Sequence, residues 1–290
     1  MFIVRRMAIV FGLLLGLVTS ASASPALWVV ETPQAKVYLF GTVHVLRPEL
    51  AWHSPTLDAA LAESNDLWLE VANAGDAAAA APIVREFGLD PTHPLSTKIT
   101  TSDLARVDVA AKTLGAPGES AFEPFRPWLA SVTLSVVPLI RAGYDPKSGV
   151  DLQLASAFSK ASKPVRGFET IAQQMHFFSD MPETEQVVML HGTLDQLESS
   201  VSTLDGLVGS WAKGDVEGFA SLTQSGLFQG SPQLYEKLVV MRNADWAHQL
   251  EARLKQPGVS FVAVGAAHLA GKASVQADLE KLGYSVRRVQ

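Results

Sequence analysis

The chain has 290 residues, a formal charge of −6 and no cysteine. Without cysteine there are no disulfides, no thiolate metal sites, no cysteine nucleophile and no thiol-linked lipid anchor. The acidic balance, with no basic tail or stripe, argues against a nucleic-acid partner.

Residues 1–23 read MFIVRRMAIVFGLLLGLVTSASA. Arg5 and Arg6 precede an apolar run from Met7 to Val18, and Ala21-Ser22-Ala23 follows. A charged start, a short apolar core and an A-x-A end mark a secretory signal peptide. The run is short of the roughly 20 residues a spanning helix needs. The expectation is cleavage after Ala23, with no stable membrane anchor left and one domain over residues 24–290. The expected compartment is a periplasm, with release to the medium as the alternative.

LWVVE (27–31) and KVYLF (36–40) are short β-rich runs joined by a Pro-containing turn, which predicts a hairpin. SPTLDAALAES (54–64) opens with Ser then Pro, a helix start. DLWLEVA (66–72) alternates as a strand does, so strand, helix and strand form a crossover unit of an α/β sheet. The middle of the chain is expected to be largely helical, over 78–88, 102–114, 127–142 and 149–161. KPVRGFET (163–170) reads as a short strand ending in a loop. From Val187 to Trp211 apolar residues alternate in steps of three and four. That seam fits a long helix or a helical hairpin, since Gly192, Gly206 and Gly209 weaken a continuous rod. A helix is expected over 232–255. VSFVAVG (259–265) reads as a strand buried on both faces. A helix over 273–284 stopped by Gly283 and a strand over 285–289 complete the chain. The fold class is therefore α/β, a mixed central sheet flanked by helices.

Two stretches echo each other. YLFGTVHVL holds Gly41 and His44, and VAVGAAHLAG holds Gly265 and His268, each a Gly-x-x-His after an apolar run. Glycine permits a tight turn or close approach at such a point. Ligands gather beyond the carboxyl ends of the strands in open α/β sheets. If the three strands are parallel neighbours, His44, His268 and Glu70 converge on one rim. Two imidazoles and a carboxylate suit a divalent metal and leave a position for water. Gly-x-x-His by itself is common, and a histidine after a strand equally suits a loop or core position.

LWVVETPQAKVYLFGTVHVLRPEL and FVAVGAAHLAGKASVQADLEKLGYSVRRV together resemble the TraB/GumN family, bacterial relatives of the Tiki-type metalloproteases. Between them LWLEV, Pro127-Trp128, Gly149-Val150-Asp151, GFET (167–170) and MRNADWA (241–247) fall in the family's order. The sequence departs at GKASV, where many relatives have a second glycine before the last helix. The resemblance implies an erythromycin-esterase/ChaN-like fold and a metal-dependent peptidase using manganese or cobalt, with zinc as a third option. It implies His44, Glu70 and His268 as metal and catalytic residues, and Arg242 as a companion.

Asp151 suits either the cap of its helix or a partner of the site. Glu169 follows a strand and suits either a site partner or a salt bridge. Arg242, beside Asn243 on a helix, could neutralise Glu70 or Glu169 or bind a substrate carboxylate. His53, His93, His176, His191 and His248 are expected at the surface, in loops or in the core, and Trp52, Trp68 and Trp128 in packing. No G-x-S-x-G elbow or phosphate-binding glycine motif is present. The leading reading is an exported metal-dependent hydrolase acting on a peptide or another small hydrolysable substrate. The alternatives are a non-catalytic metal- or haem-binding protein and an envelope or polysaccharide-export accessory protein.

Overall fold

The computed structural model describes residues 23–290, apart from Ala74 and residues 229–231. The expected signal peptide thus lies, but for Ala23, outside the described residues. Strands β1 (Leu27–Glu31) and β2 (Ala35–Thr42) form the antiparallel hairpin, with Leu27 opposite Phe40. Helix α1 (Pro55–Glu63) starts at Ser54, whose hydroxyl accepts the Leu57 N–H, with Pro55 in the first turn. Strand β3 (Asp66–Val71) closes the crossover. Five helices follow: α2 (Ala77–Gly88), α3 (Thr101–Thr113), α4 (Pro127–Ser135), α5 (Val137–Arg141) and α6 (Val150–Lys160). Then come β4 (Val165–Glu169), α7 (Ile171–Ser179), α8 (Glu183–Gln196), α9 (Ser200–Ala212) and α10 (Val216–Leu222). The chain ends with α11 (Pro232–Tyr235), α12 (Met241–Leu254), β5 (Gly258–Gly265), α13 (Val275–Lys281) and β6 (Val286–Arg288).

The six strands form one mixed sheet in the order β4-β3-β5-β2-β1-β6. β2, β5, β3 and β4 run parallel, while β1 is antiparallel to both β2 and β6. Side chains alternate between two layers, as the strand period of two requires. Phe40, Leu67, Phe261 and Ala263 pack in one core, which Leu154, Leu207 and Trp211 from helices also enter. Leu39, Val262 and Val264 pack in the other, against Trp246, Leu250 and Leu279. The run in β5 is apolar throughout because helices cover both faces. A third core, containing Leu95, Val107, Leu134 and Leu190, holds the helical middle together.

Three elements differ from the sequence expectation. The helix foreseen over 127–142 breaks at Val136, because Pro138 brings no N–H and its ring crowds the preceding turn. The helix foreseen over 232–255 contains a π-helical turn, Glu236–Val240, between α11 and α12. The seam from 187 to 211 splits at Leu197–Ser199 between α8 and α9. Leu190 and Leu194 enter the helical-middle core, whereas Leu207, Val208 and Trp211 enter the sheet core. Two helices, α7 and α10, occupy segments given no element from sequence.

Candidate functional site

The register of the parallel strands assembles the site. Gly41 lies opposite Val264 and Thr42 opposite Gly265, so β2 and β5 end level. β3 lies on the other side of β5, with Leu69 opposite Ala263, which brings Glu70 to the same rim. His44 stands just beyond β2, and His268 lies in a 3-10 turn, Ala266–Leu269, just beyond β5. The two glycines are needed for space rather than for a left-handed backbone, since neither has positive φ. A Cβ on Gly265 would stand 2.9 Å from Glu70 Oε1 and 3.4 Å from His44 Nε2. One on Gly41 would press at 3.0 Å against the Cα and Cβ of Ala266.

The Nε2 atoms of His44 and His268 lie 3.8 and 3.7 Å from the same atom, Glu70 Oε1. Each imidazole is held at its other nitrogen. His268 Nδ1 is 2.6 Å from Asn243 Oδ1. Asn243 Nδ2 donates to the carbonyls of His268 and Ala273, so Oδ1 must be the acceptor and His268 carries its proton on Nδ1. His44 Nδ1 is 3.2 Å from Asp151 Oδ1. Both Nε2 atoms thereby face inward, toward Glu70 Oε1.

Arg242, in the first turn of α12, ties the rim together. Nε donates to Glu169 Oε1 at 2.8 Å, and Nη2 donates to Glu70 Oε2 at 2.6 Å and Glu169 Oε2 at 2.8 Å. Nη1 donates to the Leu238 carbonyl at 2.9 Å and to His268 Nε2 at 3.2 Å. All five guanidinium donors are engaged, so none is free for a substrate carboxylate. The guanidinium also stacks over Trp246, at 4.7 Å, and Trp246 Nε1 donates to Glu169 Oε1 at 3.0 Å.

The charges follow from this packing. Burial would raise the Glu70 carboxyl, but the electrostatic pull of the neighbouring His268, His44 and Arg242 and the Gly265 N–H outweigh it and hold Glu70 well below the usual carboxylate range. Burial lowers His268 to about 4, with Arg242 and His44 acting the same way against Glu70, so its imidazole is neutral at pH 7. For His44, lost hydration would lower the value, but the hydrogen bond to Asp151 and the charges of Glu70 and Asp151 raise it to about 9. The His44 side chain is 60% exposed, and water there screens part of that attraction.

A depression of about 590 Å³ opens on the cluster, lined in part by Thr42, His44, Glu70, Asn73, Asp151 and Gln174. Gln174 is the participant that sequence reasoning missed. It donates to Glu70 Oε2 at 3.1 Å and to Glu169 Oε2 at 3.0 Å. Its signal was available: Thr170 and Gln173 form a capping box, which starts α7 at the rim immediately after β4. Asp151 makes no side-chain cap, but it orients His44. Glu169 serves as both site partner and salt bridge. The other histidines lie outside this cluster. His53 and His93 are exposed beside Asp58 and Asp90, half-buried His176 lies beside Asp180, His191 joins Asp103 and Asp195, and His248 faces Glu251. Trp52 and Trp128 are buried in packing.

The donor chemistry fits a divalent metal of borderline softness: two neutral-capable imidazoles and one ionised carboxylate, each imidazole braced by a hydrogen bond. Among the described residues no group of three or more His, Asp or Glu side chains is placed so that it could hold a metal ion. Ligands about 2.1 Å from a tetrahedral ion stand roughly 3.4 Å apart. The 3.7 and 3.8 Å separations exceed that by a few tenths of an ångström.

The fold and site define a class: a helix-flanked mixed sheet carrying a His–Glu–Arg cluster on the carboxyl rim of its parallel strands. The model of the TraB/PrgY/gumN family matches residues 26–288, and the chain belongs to that family. It is 22% identical over 261 residues to an uncharacterized protein of Treponema pallidum (strain Nichols), covering 86% of this chain and 78% of that one. No solved structure matches the chain.

Proposed function

We propose that this protein is an exported metal-dependent hydrolase whose substrate is a peptide. The observation that carries the reading is the convergence of two braced imidazole Nε2 atoms on one oxygen of Glu70. His44, His268 and Glu70 would hold the ion, manganese or cobalt by family resemblance, with zinc as a third candidate. A bound divalent ion supplies a water acidified toward neutral pH.

The residues divide the remaining work. Asn243 and Asp151 orient the two imidazoles. Gly265 keeps the space between Glu70 and the histidines clear, as a Cβ there would enter it. Arg242 offsets the charge of Glu70 and Glu169 and holds both carboxylates in place. Glu70 suits the role of ligand better than that of general base. A base works best with a pKa near the operating pH, whereas Glu70 is held far below it. Its Oε2 is already committed to Arg242 and Gln174, which leaves Oε1 facing the histidines.

The test is metal content by mass spectrometry of protein purified without chelators, beside folded His44→Ala and His268→Ala variants. The expected result is near-stoichiometric metal, lost in both variants, with metal-dependent cleavage of a peptide library. Glu70→Gln should lose metal with them. Failure to bind manganese, cobalt and zinc offered in turn sinks the reading. Metal without hydrolysis turns the site into a carrier, and a Soret band on adding haem would make that carrier a haem protein.

A further inference from the structure

The start of the described chain is fastened to the fold at a defined place. Ser24 N–H donates to the Ala212 carbonyl at 2.7 Å. Ala212 is the last residue of α9, so this carbonyl is one of the four left without a helical partner at that end. Aligned peptide dipoles give a helix C-terminus a partial negative charge, which favours a cation there. Ser24 is also the residue that follows Ala21-Ser22-Ala23, the small-residue pattern a leader-processing endopeptidase accepts.

We infer that hydrolysis of the Ala23–Ser24 bond creates an α-ammonium at Ser24 that docks on the C-terminal carbonyl of α9 and stabilises the turn holding the β2 end of the site. Water adds across the peptide bond. Ala23 leaves as a carboxylate with the leader, and Ser24 keeps a protonated amine where an uncharged amide N–H stood. The inference rests on the leader reading of residues 1–23 and is independent of any metal.

The turn matters because of the residue before Ala212. Trp211 Nε1 donates to the Gly41 carbonyl at 2.7 Å, and Gly41 opens the Gly-x-x-His that ends in His44. The new terminus therefore sits one residue from a strut of the functional rim. Its surroundings hold both signs. Lys213 caps α9, and Arg288 Nη2 donates to the Gly214 carbonyl at 2.8 Å. Arg288 is itself occupied by the Gln290 main-chain oxygen, and Asp215 caps α10 beside Gly214. Arg288 and Asp215 are hydrogen-bonded elsewhere, and the Ala212 carbonyl is the partner of the Ser24 nitrogen itself.

The sign follows from that contact. A free α-amino group titrates near 8, and docking on a negative helix end raises that value in the folded state. The stabilisation is then fully present below about pH 8 and lost as pH rises through the folded value.

The experiment uses the exported protein and the same chain N-acetylated at Ser24. The expected results are an intact mass that begins at Ser24, an α-amine that titrates above its free value by nitrogen NMR, and a Trp211 indole N–H signal that follows the same titration. The exported form should melt about 1–4 °C above the acetylated form at pH 7, with the gap closing above pH 10. A terminus elsewhere overturns the inference. So does an amine titrating at or below its free value, or a melting gap that does not change with pH.

Discussion

Replacing Arg242 by Met removes the cation between two buried carboxylates. The side chains of Arg242, Glu169 and Glu70 are 9%, 7% and 13% exposed, so water cannot take over the lost contacts. Glu70 would keep the Gly265 and Gln174 N–H groups, and Glu169 would keep those of Trp246 and Gln174. Breaking a buried pair from one side costs about 3–5 kcal/mol, because the remaining charge is left unpaired. At about 2–4 °C per kcal/mol for a domain of this size, the melting temperature should fall by roughly 6–20 °C at pH 7. The deficit should shrink in acid. Glu70 is held low in the wild type, so its contribution is present above the ordinary carboxylate range and lost as pH falls through the folded value. The variant has already lost that contribution. Arg242→Lys should fall between the two, with three donors facing five acceptors. Calorimetry at pH 7 and at about pH 3, between the ordinary carboxylate range and the folded value, checks this. A loss below about 1 kcal/mol at pH 7, or a deficit unchanged by acid, would refute the account of Arg242 as the charge-balancing strut.

Metal affinity should rise with pH. Without metal, His44 is held protonated up to about 9, and a ligand imidazole must be neutral, so binding releases a proton. Calorimetry with manganese in buffers of different ionisation heat should show that proton below pH 9 and its disappearance above. Gly265→Ala should remain folded at a cost of about 1–3 kcal/mol and lose metal affinity at least about tenfold, because the new Cβ fills the space beside Glu70 Oε1. Unchanged metal content in that variant would show that the space is not the site. Asn243→Ala leaves the His268 Nδ1–H and two carbonyls without their partner in a fully buried position. The expected loss is about 1–3 kcal/mol of stability together with about 10–100-fold in metal affinity, read by denaturant titration and metal competition.

Much of the scaffold was legible because local chemistry and tertiary demand agree. Ser54-Pro55 announces α1, and the unbroken apolar run in β5 announces a strand covered on both faces. The seam from Val187 to Trp211 was legible as apolar periodicity but not as packing. One half serves the helical middle and the other the sheet, and nothing in a spacing of three and four says which. The same limit applied at Asp151, where a position in the first turn of a helix is compatible with capping. Its carboxylate instead turns to His44, because the chain folds α6 back over the end of β2, with Val150 N–H bonded to the Val43 carbonyl.

By itself, the sequence determined an α/β chain without cysteine, two Gly-x-x-His stretches placed after strands, and a candidate set containing His44, Glu70, Arg242 and His268. The first two are properties of residue type and near-neighbour spacing, while Arg242 entered the set through the family resemblance. Only the tertiary structure decided that β5 inserts between β2 and β3, which puts two histidines more than two hundred residues apart beside one carboxylate oxygen. It also decided that Arg242 spends all five donors on the rim and that Gln174 joins two acids from α7. Strand order and helix placement come from the burial of both sheet faces at once. That is a global condition, and no window of sequence contains it.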